Sequence, residues 1–266
     1  MTDFDFDTFL ALPRLAGLRL SPDGSRLVVG VARPAPDGKK MRSALWQLDP
    51  TGDARPHRLT RSAPGETVGA FLPDGALLFT SSRPDPERKP DDEDEEDAGR
   101  LWLLPAQGGE ARVLFTPSGG VEDVRAARDA NVVAFSASVF PGASDSAADR
   151  ARHKARKKAG VDALLFEDFP IRRWDHYLGP RERHLFAAVV PDDPDERISN
   201  PTDLTPDAHN ALVETGYDVT PDGARIVTGW LDLSDISDPR ERLALIDRAT
   251  GERRFLPELD RHWYVA

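Results

Sequence analysis

Leu20-Ser21-Pro22-Asp23-Gly24, running into the apolar stretch Arg26-Leu27-Val28-Val29-Gly30-Val31, is the segment whose reading decides the fold of this 266-residue chain. Proline has a fixed φ that suits the second position of a type I turn. The glycine after Asp23 adopts the left-handed conformation that closes a three-residue hairpin with a bulge. The stretch therefore predicts two antiparallel strands joined at Ser-Pro-Asp-Gly. The same unit recurs as Leu72-Pro73-Asp74-Gly75 before Ala76-Leu77-Leu78-Phe79-Thr80, and as Thr220-Pro221-Asp222-Gly223 before Arg225-Ile226-Val227-Thr228-Gly229-Trp230. A worn copy, Arg128-Asp129-Ala130-Asn131, precedes Val132-Val133-Ala134-Phe135-Ser136. Ala130 replaces the glycine there, and the left-handed conformation costs a residue with a Cβ, so a different loop is expected.

A second strand pair follows each hairpin. Ala44–Leu48 leads through Asp49-Pro50-Thr51-Gly52 to Arg55–Thr60, and Leu101–Leu104 through Gln107-Gly108-Gly109 to Ala111–Phe115. His184–Val189 leads through Asp192-Asp193 to Glu196-Arg197-Ile198, and Leu243–Ile246 through Arg248-Ala249-Thr250-Gly251 to Arg253–Leu256. Four strands per unit, at a period of about fifty residues, is the signature of a β-propeller blade. Asp23 to Asp74 spans 51 residues, Asp74 to Asp129 55, and Asp129 to Asp222 93. The third unit thus carries an insertion of about forty residues at a propeller's blade length.

The expected fold is all-β: a partial propeller of four four-stranded blades, with a short N-terminal helix and a helical insertion in the third blade. Residues 1–14 form the N-terminal helical segment, with Asp5 or Asp7 as cap and Phe6, Phe9 and Leu10 on one face. The blades span 15–60, 66–116, 121–204 and 211–257, with the insertion at 141–182 and the start of a further blade at 258–266. Within the insertion, 146–160 reads as a basic helix stopped by Gly160. Asp91-Asp92-Glu93-Asp94-Glu95-Glu96-Asp97 is a like-charge run that repels itself and is expected to be a solvated loop. Propellers close with roughly four to eight blades, and open sheet faces invite aggregation, so the four blades are expected to belong to a larger ring.

Composition narrows the function. Without cysteine there are no disulfides, thiolate nucleophiles or cysteine metal sites. A net charge of −11 opposes general nucleic-acid binding, which needs cations facing phosphates. No apolar run has the length of a membrane span. The acidic start Met1-Thr2-Asp3-Phe4-Asp5 lacks the basic and apolar regions of a secretory signal, so cytoplasmic residence is expected.

Three groups of residues carry a family resemblance: Leu12-Pro13-Arg14-Leu15 ahead of the first turn, the Pro-Asp-Gly turns, and Phe169-Pro170-Ile171-Arg172-Arg173-Trp174-Asp175-His176-Tyr177 followed by Arg183-His184-Leu185-Phe186. With these the chain resembles the propeller of the prolyl oligopeptidase family of serine peptidases, in its acylaminoacyl-peptidase-like branch. The last segment is the most specific match. The resemblance implies a seven- or eight-bladed propeller that restricts entry to short peptides, followed by an α/β-hydrolase domain with a Ser-Asp-His triad. It also implies that residues 1–14 pack against that domain. The sequence holds no Gly-x-Ser-x-Gly elbow, so no residue here is assigned as catalytic serine, aspartate or histidine. The partners expected are short peptide substrates and the remainder of the same protein, without nucleic acid or membrane, and a homo-oligomer is expected. The competing reading is a non-catalytic, TolB-like propeller that recruits a protein partner, because the same turns serve there and a fold alone does not determine function.

Site candidates are few. His57, His153, His176, His184, His209 and His262 have no serine elbow to serve. With no His-Glu-x-x-His motif and no calcium-loop alternation in 91–97, no metal site and no cofactor are expected. Arg172 and Arg173 are the substrate-binding candidates. Adjacent strand residues point to opposite faces, so one of the two would face a cavity and pair with a peptide carboxylate. The structural alternative is an ion pair with Asp168 or Asp175. The basic helix 149–158 reads as a solvated helix or a flap over the substrate entrance, and Trp46 and Trp102 read as packing residues at matching places in successive blades.

Overall fold

The computed structural model describes residues 5–87, 98–166, 170–213, 215–235 and 237–257. It divides into two compact units, Met1–Phe115 and Thr116–Ala266. The first unit opens with helix α1 (Phe6–Ala11), whose cap is Asp5: its carboxylate accepts the Thr8 N–H at 2.8 Å. Two antiparallel sheets follow. One comprises β1 (Arg14–Leu20), β2 (Leu27–Pro34), β3 (Met41–Leu48) and β4 (His57–Arg58). The other comprises β5 (Thr67–Phe71), β6 (Leu77–Ser81), β7 (Arg100–Leu104) and β8 (Arg112–Phe115). In both, spatial order equals chain order, each strand pairing with the next in sequence.

These sheets stack through their apolar faces. Val28 and Leu45 of the first meet Val68, Phe71, Leu77, Phe79 and Trp102 of the second. Trp102 is 1% exposed, stacks on Phe79 with ring centroids 6.2 Å apart, and donates its indole N–H to the Ser81 carbonyl at 3.2 Å. Burying such a side chain is worth about 1.5–3 kcal/mol, and the satisfied N–H avoids the cost of a stranded donor. Trp102 is thus a packing residue.

The second unit repeats the plan with one interruption. β9 (Val121–Ala126) pairs with β10 (Val132–Val139), after which come helix α2 (Ser146–Ala159) and a two-strand hairpin of β11 (Arg172–Arg173) and β12 (His176–Tyr177). The blade then resumes with β13 (Glu182–Val189), paired to β10, and β14 (Thr202–Asp203). A 3-10 turn at His209–Leu212 leads to the last sheet: β15 (Tyr217–Val219), β16 (Arg225–Asp232), β17 (Arg240–Asp247) and β18 (Arg253–Phe255). Ala134, Leu185 and Ala187 pack against Ile226, Trp230, Ala244 and Ile246 to form its core.

The turns depart from expectation in an instructive way. At Leu72-Pro73-Asp74-Gly75-Ala76 the loop has three residues, closed by Leu72 N–H to the Ala76 carbonyl at 2.8 Å. The Ser21 and Thr220 turns instead hold four residues, closed by Ser21 N–H to the Arg26 carbonyl at 2.8 Å and Thr220 N–H to the Arg225 carbonyl at 2.9 Å. The hydroxyl reinforces these two turns without setting their length, since Ala127, which has none, also closes a four-residue loop by its N–H to the Val132 carbonyl at 2.9 Å. At Ser21 and Thr220 the residue's carbonyl accepts the glycine N–H, and its side-chain oxygen accepts the returning N–H, at 2.9 Å for Arg26 and 3.0 Å for Arg225. Leucine has no such acceptor. Gly24, Gly75 and Gly223 all have positive φ, at 73°, 86° and 70°. In the worn copy Ala130 is not among the residues with positive φ, and Val132 N–H bonds the Ala130 carbonyl at 2.8 Å.

One expected strand is displaced. Glu196–Ile198 lies in a loop, where Asp193 accepts the N–H groups of Asp195 through its side chain and Glu196 through its carbonyl. The partner of β13 comes after Pro201, as β14, pairing Ala187 with Thr202 and Phe186 with Asp203. The acidic run 91–97, Asp168, Phe169 and the segment 258–266 lie outside the described residues.

Candidate functional site

The third blade's insertion is shaped by local signals. Asp145 caps α2 by accepting the Ala148 N–H at 2.8 Å, and Gly160 ends it in the left-handed conformation at φ 61°. Within the first turn Asp149 points inward and is 3% exposed. Its carboxylate accepts the Phe140 N–H at 2.6 Å and lies 3.1 Å from the Arg181 guanidinium. Arg181 in turn lies 4.5 Å over the Phe140 ring and donates to Ser118 Oγ at 2.9 Å. One buried carboxylate therefore ties the start of the insertion to its end.

Between this helix, the hairpin and the sheet edge runs a cleft of about 750 Å³. His153, Arg156 and Lys157 reach it from α2, His176 and Tyr177 from β12, and His209 and Asn210 from the 3-10 turn. Glu122, Glu182 and Arg183 line it from the blade. Three of the chain's six histidines thus meet at one cavity, though they are 23 and 33 residues apart in sequence. Only the return of the chain through β13 and β14 brings them together; no local pattern announces it.

Behind the cleft is a chain of ionisable groups. His184 is 4% exposed; its Nδ1 lies 2.7 Å from Asp203 and its Nε2 3.9 Å from Glu182, within ion-pair range but beyond hydrogen bonding. Glu182 continues to His209 Nδ1 at 3.4 Å. Burial by itself would push the imidazole's pKa down, but the two carboxylates outweigh it and raise His184 to about 9. Glu182 is held below its ordinary value, by His184 first and His209 next, against the opposing effect of burial. His184 is consequently a buried cation at neutral pH. A general base needs a pKa near the working pH and access to the proton it takes, so the Asp203–His184 pair is a structural fastening. Nearby, burial raises the phenol of Tyr217, which donates to the Asp123 carbonyl at 2.5 Å.

Arg172 and Arg173 occupy β11, exposed, and neither lines the cleft. Arg172 donates to the Trp174 carbonyl at 2.8 Å rather than to a carboxylate. Asp175 meets His176 at 3.4 Å. The cleft's serine, Ser138, bonds Glu122 at 3.4 Å. Among the described residues no group of three or more His, Asp or Glu is placed to hold a metal ion, and no helix is long and apolar enough to cross a membrane. The cleft sets the charged side chains of Glu122, Arg156, Lys157, Glu182 and Arg183 beside apolar surface from Phe140, Val161, Leu178 and Val213.

No protein-family model matches this sequence, and no curated protein matches it. Solved structures do. An acylaminoacyl peptidase of Pyrococcus horikoshii superposes over 94% of this chain with a TM-score of 0.62 at 11% identity. The β-propeller domain of the Trilobed protease from Pyrococcus furiosus, described as having an open velcro topology, covers 92% with a TM-score of 0.51 at 9% identity. TolB from Acinetobacter baumannii covers 90% with a TM-score of 0.53 at 14% identity. The fold is that of a β-propeller. Its four-stranded sheets are blades, and the solved propellers similar to it include those of the kind of peptidase that the sequence resembles. The chain spans 33% of the acylaminoacyl peptidase, 57% of the Trilobed protease domain and 42% of TolB. At these identities the likeness establishes the propeller fold.

Proposed function

We propose that this propeller is the substrate-gating portion of a serine peptidase that hydrolyses short peptides, the catalytic α/β-hydrolase domain lying outside these residues. The observation that carries the reading is the likeness to an acylaminoacyl peptidase over 94% of the chain, joined to the sequence resemblance through Phe169–Tyr177. The insertion that contains this segment builds the cleft, whose charged rim suits the polar ends of short peptides. In this reading the chemistry is acyl transfer through a serine, with histidine as general base and an oxyanion hole, all supplied by the hydrolase domain. The protein resides in the cytoplasm as a homo-oligomer. Pairing of Arg172 or Arg173 with a peptide carboxylate belongs to the same proposal. Alanine at each, in the intact enzyme, should weaken cleavage of peptides with a free C-terminus more than of amidated ones; equal effects on both would end that assignment.

The test of the main reading is the product of the complete gene. A Gly-x-Ser-x-Gly between a strand and a helix is expected, together with cleavage of N-acetylated tripeptides that is abolished by alanine at that serine. Lys157→Glu, in the cleft, should then change KM more than kcat. A gene product without the motif, or one that leaves tripeptides intact, removes the reading. The likeness to TolB supports a second one, a scaffold that binds a protein partner, and those negative outcomes would favour it.

A further inference from the structure

The charges that line the cleft differ in how firmly they are held. On the blade side Glu182 is committed: its two oxygens face His209 Nδ1 at 3.4 Å and the buried His184 Nε2 at 3.9 Å. Arg181 is paired with Asp149, and Arg183 donates to the carbonyls of Leu212 and Thr215 at 3.1 and 2.7 Å. Glu122, from β9, is held loosely. Ser138 Oγ lies 3.4 Å from one of its oxygens and Arg183 Nε 3.9 Å from the other, and its side chain is 55% exposed.

From the helix side the last turn of α2 brings Arg156 and Lys157 to the cleft. The Arg156 guanidinium donates to the Ala163 carbonyl, and among the described residues neither cation has a carboxylate in ion-pair range. Asp162, just past the helix, also lines the cleft, exposed and out of that range of both. Cations in the last turn of a helix offset its dipole, which accounts for their residue type. It does not account for their place, since Lys158 serves the same end from the same turn without lining the cleft. Beside these charges the lining is apolar: Phe140 is buried, Leu178 and Val213 are half-buried, and Val161 is exposed. A volume of about 750 Å³ is in the range of small-molecule sites, which join an apolar lining to a few placed polar groups. A loosely held carboxylate from the blade, a cation without a carboxylate from the helix and apolar surface in one cavity match a ligand with an ammonium, a carboxylate and an apolar side chain.

We propose that the cleft binds a short zwitterionic peptide with apolar side chains, its ammonium at Glu122 and its carboxylate at Lys157. The inference shares only the cleft with the peptidase reading and needs no catalysis, so binding decides the one and cleavage by the complete gene product decides the other. The experiment is isothermal titration calorimetry of the 266-residue chain with Leu-Leu, N-acetyl-Leu-Leu, Leu-Leu amide and Gly-Gly. Leu-Leu is expected to bind, and blocking either end should weaken it about two- to fivefold, the range of a partly exposed ion pair. Glu122→Gln should remove the preference for the free amine and keep that for the free carboxylate, and Lys157→Gln should do the reverse. Lys158→Gln should leave every affinity unchanged. The blocked peptides test both pairings on the unaltered chain, whether or not a variant folds. No binding of Leu-Leu at millimolar concentration would overturn the proposal. So would Gly-Gly binding as tightly as Leu-Leu, blocked ends binding as well as free ones, or preferences that survive the Glu122 and Lys157 changes. A loss with Lys158→Gln equal to that with Lys157→Gln would reduce the effect to overall charge and overturn it as well.

Discussion

Asp149 and Arg181 meet at 3.1 Å with side chains 4% and 13% exposed, across a span of 32 residues that leaves the blade and returns to it. The pair is buried, and Asp149 also accepts the Phe140 N–H. Removing one partner of a buried pair strands the other charge at a cost of about 3–5 kcal/mol. Asp149→Ala should therefore release α2. Hydrogen exchange over 146–159 is expected to accelerate strongly, while β10 and β13, whose pairing runs unbroken from Val132–Val189 to Val139–Glu182, stay protected. Unchanged protection of the helix would show that its other contacts suffice.

The His184 fastening makes stability depend on pH. Its pKa is about 9 in the folded chain, above the ordinary 6.5. A group raised on folding contributes stability that is fully present below the unfolded value and is lost as pH rises through the folded one. The denaturant midpoint of the second unit should thus fall between about pH 6.5 and 9 by more than that of a His184→Gln variant, which has no imidazole to deprotonate. Parallel pH curves for the two proteins would contradict this.

Two turn glycines separate conformation from packing. Gly24 and Gly223 have nearly equal φ, 73° and 70°. A Cβ on Gly24 would meet nothing within 4 Å, whereas one on Gly223 would lie 2.8 Å from the Val132 side chain. Gly24→Ala should cost about 1–2 kcal/mol, the left-handed penalty alone. Gly223→Ala should cost at least about 1 kcal/mol more, from overpacking against the neighbouring blade. Chemical denaturation of the two variants checks the order, and equal losses would mean that the Val132 contact relaxes without penalty.

Much of this protein was legible from its residues in order. The Pro-Asp-Gly turns predicted the hairpins because proline and glycine set backbone angles locally, and Asp145 and Gly160 marked the ends of α2 because caps satisfy backbone groups within one turn. The resemblance carried by Phe169–Tyr177 pointed to the kind of propeller that the solved structures match. Loop size was not legible: three residues were expected at each turn, but the Ser21 and Thr220 turns hold four.

The candidate site was not legible in this way. His153, His176 and His209 carry no shared local pattern, and Asp203 is 19 residues from the histidine that it holds at 2.7 Å. Their meeting depends on where β13 and β14 return beside β10, and on a buried carboxylate that anchors the inserted helix. The residues in order determined the repeating hairpins, the helix ends and the basic character of the inserted helix, because those follow from local backbone preference and composition. The cleft and the buried imidazolium were decided by tertiary structure alone, because burial and ion pairing depend on neighbours distant in the chain.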